Sequence, residues 1–236
     1  MNLKLLHIFL LSTAGTFLLC TPFINTVELA NGLVTGKMCW FHLAMLFFSV
    51  CVFFVMLTKK GTVIAFTFSD PLVLFFAGGV LITYKWNLNP EPEKLIFAGQ
   101  LVILWFLLRY VLTAYREFKF FFLFVLMFTG LIEAVWGMQQ LHGYSHSNHS
   151  LFRLTGSFFN PGPYSGYIAV ILPVCLWTAL RFQKGMHYFA WICVGAILIV
   201  LPAGMSRSAW IAAVVACGWV YWTERIGWEN TKAVCR

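Results

Sequence analysis

Residues 38–58 read MCWFHLAMLFFSVCVFFVMLT, a run without a single Asp, Glu, Lys or Arg. A spanning helix needs about 20 mostly apolar residues, and this stretch meets that length without a break. The rest of the chain repeats the theme. Of 236 residues 61% are hydrophobic, 18% aromatic and only 10% charged, whereas a soluble domain is about 45–50% apolar and about 25% charged. Such a chain has too little polar surface to face water. The composition excludes a soluble enzyme, a disordered chain and a nucleic-acid-binding domain, and no nucleic-acid partner is expected. The sequence predicts an all-α integral membrane protein embedded in a lipid bilayer.

Working outward from 38–58, further apolar runs fall at 4–22, 71–86, 95–113, 119–138, 164–180, 187–204 and 207–222. Together they predict a polytopic bundle of about eight transmembrane helices forming one domain over 1–236. Asp70 followed by Pro71 is a strong helix start, with the carboxylate as N-cap and proline in the first turn, so the third span begins at Pro71. The first run has one lysine ahead of it and no suitable cleavage site, and reads as an uncleaved span. The seven cysteines show no CxxC spacing and imply neither a disulfide framework nor a zinc site; Cys20 and Cys39 could meet near one face. His7, His42 and His187 lie near span ends and read as interface residues.

The net charge of +8 comes from 16 Lys and Arg against 8 Asp and Glu. With the N-terminus inside, Lys4, Lys59, Lys60, Arg109, Arg116, Lys119, Arg181, Lys184, Arg225, Lys232 and Arg236 fall on the inner side. Lys37, Lys85, Lys94, Arg153 and Arg207 fall on the outer side. Eleven against five favours this orientation under the positive-inside rule, and eight spans return the C-terminus to the cytoplasmic side.

The inner loops are short and basic, as orientation alone requires. The outer connection at 139–163, QQLHGYSHSNHSLFRLTGSFFNPGP, is the longest polar segment, and its Asn160-Pro161-Gly162-Pro163 turn leads into the sixth span. Arg153 lies within it. The next outer connection, Met205-Ser206-Arg207-Ser208, presents Arg207 between two apolar runs. An arginine there either snorkels to headgroups or holds an anion, since its planar fork grips phosphate oxygens bidentately, with Ser206 and Ser208 as extra donors. Two such arginines in one outer vestibule suit a diphosphate. Glu133, inside the fifth span, is costly unless partnered. Gly137 and Gln140 follow at i+4 and i+7 on the same helical face. This face is either a structural hydrogen-bonding site or a polar wall that orients an arginine or a sugar hydroxyl. His142, His146 and His149 match no zinc signature, so no metal is expected.

Three short stretches resemble one family. Arg153-Leu-Thr-Gly-Ser-Phe-Phe-Asn160-Pro-Gly-Pro-Tyr-Ser-Gly-Tyr is similar to the R-x-x-G-T-F-x-N-P-N-x-x-A-G segment of bacterial O-antigen ligases and polymerases. Ser206-Arg207-Ser208-Ala209-Trp210 resembles that family's S-R-x-A-W/L turn, and Glu133, Gly137 and Gln140 its E-x-x-x-G-x-x-Q helix. The resemblance implies a GT-C-like inner-membrane glycosyltransferase. It would move a glycan from an undecaprenyl-diphosphate carrier to a glycan, lipid A core or protein acceptor on the periplasmic face. Arg153 and Arg207 would bind the diphosphate and stabilise the leaving group without a metal or other cofactor. Glu133, Gln140, Asn160, Ser206 and Ser208 would support them. Position 162 is Gly where the family often has Asn. The family's pattern continues into further spans and a loop with a catalytic histidine that none of the local histidines matches, so the chain corresponds to the front part and leaves the catalytic residue unassigned. The rival expectations are a transporter of a lipid-linked or anionic solute, whose charged sites should cluster near mid-membrane, and a non-catalytic membrane subunit.

Overall fold

The structure, a computed structural model, describes residues 3–26, 32–59, 61–62, 66–87 and 91–234, with the side chains of 116 and 226–234 excepted. Among these residues there are eight α-helices and no strand. They are α1 (Leu3–Leu19), α2 (Gly32–Thr58), α3 (Ser69–Trp86), α4 (Pro92–Ala114), α5 (Arg116–Leu141), α6 (Pro161–Arg181), α7 (Gly185–Val200) and α8 (Arg207–Val234). Two 3-10 turns, Thr21–Phe23 and Pro202–Gly204, follow α1 and α7. Among the described residues, five helical segments are long and apolar enough to cross a membrane: Gly32–Thr58, Pro92–Ala114, Glu117–Leu141, Pro161–Arg181 and Gly185–Gly204. The helix α1 is apolar but only 17 residues long. Of the basic residues that set the expected orientation, Lys60 and Arg236 lie outside the described residues, as do the side chains of Arg116 and Lys232.

The helices exceed the apolar runs where polar residues continue the helical geometry. Apolarity marks what a bilayer can hold, and a helix stops only where caps, glycine or proline stop it. Thus α2 begins at Gly32 rather than Met38, and α8 continues to Val234 through a polar stretch that holds no proline. The helix α6 starts at Pro161, ahead of the apolar run, because the Asn160 side chain accepts a hydrogen bond from the Gly162 amide at 3.1 Å.

The chain packs as two compact units. One takes Met1–Leu18 and Met38–Phe122, the other Leu19–Lys37 and Leu123–Arg236. In the first unit Leu11, Ala14, Phe48, Val52, Val55, Val111 and Phe118 form a core. His7, near the start of α1, is buried, with Nδ1 2.5 Å from the Tyr115 hydroxyl and Nε2 2.8 Å from Thr58 Oγ1. The Thr58 hydroxyl donates to the Phe54 carbonyl at 2.8 Å. Thr58 therefore accepts from His7 Nε2–H, which leaves Nδ1 to accept from tyrosine.

Asp70 also departs from its expected role. It sits inside the first turn of α3 rather than at the cap, because Ser69 is already helical. Its buried carboxylate accepts from the Thr67 amide at 2.7 Å, from Trp105 Nε1 at 3.1 Å, and from the Arg109 guanidinium. Arg109 thus has a partner within the fold, in addition to any part in orientation. The Arg109 hydrogen bond, with that from Thr67, holds the Asp70 carboxyl well below its ordinary value of 3.8. A depressed carboxylate contributes stability in full above the unfolded value and loses it as pH falls through the lower folded one. Asp70→Asn should therefore lower the thermal midpoint of the detergent-solubilised protein at pH 7. The gap to wild type should narrow only below about pH 4. A gap that is the same at every pH would mean that the carboxylate charge is not what holds the segment.

In the second unit α6 packs against both α7 and α8. Tyr164, Ile168, Ile171, Leu172 and Cys175 of α6 meet Ile197 and Val200 of α7 and Ala209 and Ala213 of α8 in one buried core. The unit contains every residue singled out for function.

Candidate functional site

The site is built from one face of α5. Thr129, Glu133, Gly137 and Gln140 recur at helical spacing and so stack along that face. Thr129, Glu133 and Gln140 are buried, and each meets a different part of the segment that follows the long loop. The Tyr167 hydroxyl donates to Thr129 Oγ1 at 2.8 Å, and the Tyr164 hydroxyl donates to the Glu133 carbonyl at 3.1 Å. Two tyrosines from the first turns of α6 therefore dock on α5. Gly137 makes this possible, because a Cβ there would lie 2.1 Å from the Tyr164 hydroxyl and 2.8 Å from Leu154 Cδ1.

Gln140 clamps the backbone of the loop. Its Oε1 accepts from the amides of Thr155 at 2.9 Å and Gly156 at 2.7 Å. Its Nε2 donates to the carbonyls of Gly156 and His146, each at 3.1 Å. Asn148 closes the other side, its amide donating to the carbonyls of Gly156 at 3.2 Å and Phe158 at 3.1 Å. Gly156 has φ +54°, and a Cβ would stand 2.4 Å from Glu133 Oε2 and equally close to the Tyr164 ring. Only glycine meets both demands.

Glu133 is fully buried. Its Oε2 accepts from the Ser157 amide at 3.0 Å, while Oε1 has no hydrogen-bond partner among the described residues. The Ser157 hydroxyl donates to the Pro22 carbonyl at 2.6 Å. Lys37 donates to the same carbonyl and to that of Ile24 at 2.8 Å, and lies 5.6 Å from the centre of the Phe158 ring. It is near enough to interact electrostatically with Glu133. Of the two roles open to this face, its contacts are those of a hydrogen-bonded scaffold for the loop. Lys37, which the sequence offered only as one of five outer basic residues, shares the Pro22 carbonyl with the Ser157 hydroxyl. Thr129 likewise carried no motif signal; its i−4 relation to Glu133 was the one available clue.

The two arginines are displayed on this scaffold. Arg153 is exposed and lines an open depression of about 620 Å3 beside the loop, together with His142, His146 and His149. Arg207 is exposed at the start of α8. Its neighbours Ser206 and Ser208 line a second depression, about 450 Å3, with Gly162 and Gly166 of α6. The Ser206 hydroxyl is 3.3 Å from that of Ser208 and accepts from the Ala209 amide at 3.4 Å, which caps α8. Neither arginine forms an ion pair with a described residue. The turn before Arg207 is tied to the start of α6: Ser165 donates to the Gly204 carbonyl at 3.1 Å, and a Cβ on Gly204 would lie 2.0 Å from the Ser165 oxygen. Arg153 and Arg207 thus stand on segments held at the same end of one unit, though on different depressions. Among the described residues no three His, Cys, Asp or Glu gather as a metal site. No family model, curated protein or solved structure matches the chain.

Proposed function

We propose that the chain is an inner-membrane glycosyltransferase of the O-antigen ligase and polymerase kind, or its donor-binding part. In this reading eight spans form a GT-C-like bundle with both ends cytoplasmic, and the end carrying residues 142–160 faces the periplasm. One observation carries the proposal. The three stretches that resemble the family are a single folded object, since Glu133, Gly137 and Gln140 hold residues 154–158 and Ser165 holds the turn before Arg207.

The chemistry asked of such an object is modest. An acceptor hydroxyl oxygen forms the new bond to the anomeric carbon as its proton passes to solvent, the bond from that carbon to the diphosphate breaks, and undecaprenyl diphosphate leaves with the bonding electron pair. Negative charge grows on the diphosphate as that bond stretches. Fixed guanidinium charges aimed at it stabilise the transition state most when they need no rearrangement. A clamped loop supplies that fixity for Arg153, and a capped, tethered helix start supplies it for Arg207.

The test is binding of undecaprenyl diphosphate to the purified full chain in lipid nanodiscs. Arg153→Ala and Arg207→Ala should each weaken binding about tenfold or more, the scale of a lost charge-assisted contact. Lysine at either position should recover little, because an ammonium lacks the planar fork. Wild-type affinity in both alanine variants, or no binding by the wild type, would sink the proposal.

A further inference from the structure

In the first unit the start of α1, the end of α2, the end of α4 and the start of α5 meet around a depression of about 600 Å3. Helices that span a bilayer end in its headgroup layer, where lysine stems lie along apolar surface and their ammoniums reach water. The depression therefore lies at the level of phospholipid phosphates. Its polar groups are fixed before any ligand arrives. Lys59 donates to the Ala114 carbonyl at the end of α4 and lies 4.1 Å from the centre of the Tyr115 ring. Tyr115 is held in turn by His7, and His7 by Thr58. An ammonium has three protons, so the bond to Ala114 leaves Lys59 with donors to offer. Lys4 and Glu117, each about half exposed, pair at 2.6 Å on the same depression.

Charge and surface together select the ligand. Among the described residues that line the depression, two lysines stand against one glutamate, a surplus of one positive charge. One phosphodiester carries one negative charge. Leu3 lines the same depression and is half exposed. Phe54, its ring centre 5.8 Å from that of His7, is 38% exposed. These side chains give acyl chains an apolar surface beside the charges. A soluble anion would use the lysines and leave that surface uncovered, and a choline headgroup would bring another cation to them. Basic pockets between membrane helices hold anionic headgroups in this way.

We propose that this depression holds the phosphodiester of an anionic phospholipid, with Lys59 on its oxygens and Lys4 beside it. In the orientation proposed above it belongs to the cytoplasmic leaflet. The inference needs a membrane-embedded chain but not the glycosyltransferase reading, and it stands if that reading fails. The test titrates the purified full chain in dodecylmaltoside with dioleoylphosphatidylglycerol or dioleoylphosphatidylcholine, and counts bound lipid by native mass spectrometry. The anionic lipid should bind about tenfold tighter than the zwitterionic one, the scale of one to two lysines near a membrane surface. Inorganic phosphate at the same concentration should not displace it. Lys59→Gln keeps a donor for the Ala114 carbonyl but loses the charge, and should cut the preference to about twofold or less. Thr113→Trp, at an exposed wall position, should abolish it by filling the depression, which decides the matter where Lys59→Gln does not fold. Lys94→Gln, at the opposite end of α4, should leave the preference as it is. Equal affinity for the two lipids, or displacement by inorganic phosphate, would overturn the inference. So would a preference that survives in either folded pocket variant, or one lost equally in Lys94→Gln.

Discussion

Gly156→Ala is expected to destabilise the second unit by about 3 kcal/mol, combining a left-handed backbone cost with overpacking. The two contributions have separate origins. At φ +54° any Cβ crowds its own backbone. At this position the methyl would also press into Glu133 Oε2 and the Tyr164 ring, both 2.4 Å away. Neither neighbour can retreat freely, since Glu133 is bonded to Ser157 and Tyr164 is wedged over Gly137. Gly143 provides the control. It has φ +78° with nothing within 4 Å of a Cβ, so Gly143→Ala should cost only about 1 kcal/mol. Reversible unfolding in mixed micelles measures both. Equal effects at the two positions would mean that the packing around Gly156 is not tight.

Gln140→Leu is expected to cost about 4 kcal/mol, because it strands two buried amides at once and an orphaned donor costs about 1–3 kcal/mol. The amides are those of Thr155 and Gly156, and the carbonyls of Gly156 and His146 lose a donor as well. Gln140→Glu keeps an acceptor for the amides but offers the carbonyls no donor, and should fall between leucine and wild type. The same micelle unfolding series reads this out. A Gln140→Leu variant as stable as wild type would mean that the loop does not depend on the clamp. Because the two positions share the Gly156 turn, the double variant should lose less than the sum of the singles. Release of this turn also frees Arg153, three residues before Gly156, so carrier affinity should fall together with stability.

The legible part of the fold was the part written in local chemistry. Apolar runs of the right length mark the helices, and Asn160 ahead of Pro161 marks where α6 begins. The spacing of Glu133, Gly137 and Gln140 placed them on one face of α5 before any contact was visible. Local chemistry misled where a residue had two possible partners. Asp70 beside Pro71 reads as a cap, but a carboxylate with four acceptor sites can serve Thr67, Trp105 and Arg109 together. His7 gives no sign of burial in the sequence, but a ring with two nitrogens can be buried once hydroxyls meet both.

Composition and periodicity alone were enough to make this chain a set of apolar helices with a polar loop and two isolated arginines beside it. They could not say what the polar face of α5 was for, because hydrogen-bond partners far apart in sequence leave no trace in spacing. Folding answered that by bringing residues 154–158 and the start of α6 onto Glu133, Gly137 and Gln140. Burial makes each of those contacts costly to omit, and so converts a conspicuous set of polar residues in a membrane helix into the support for a loop.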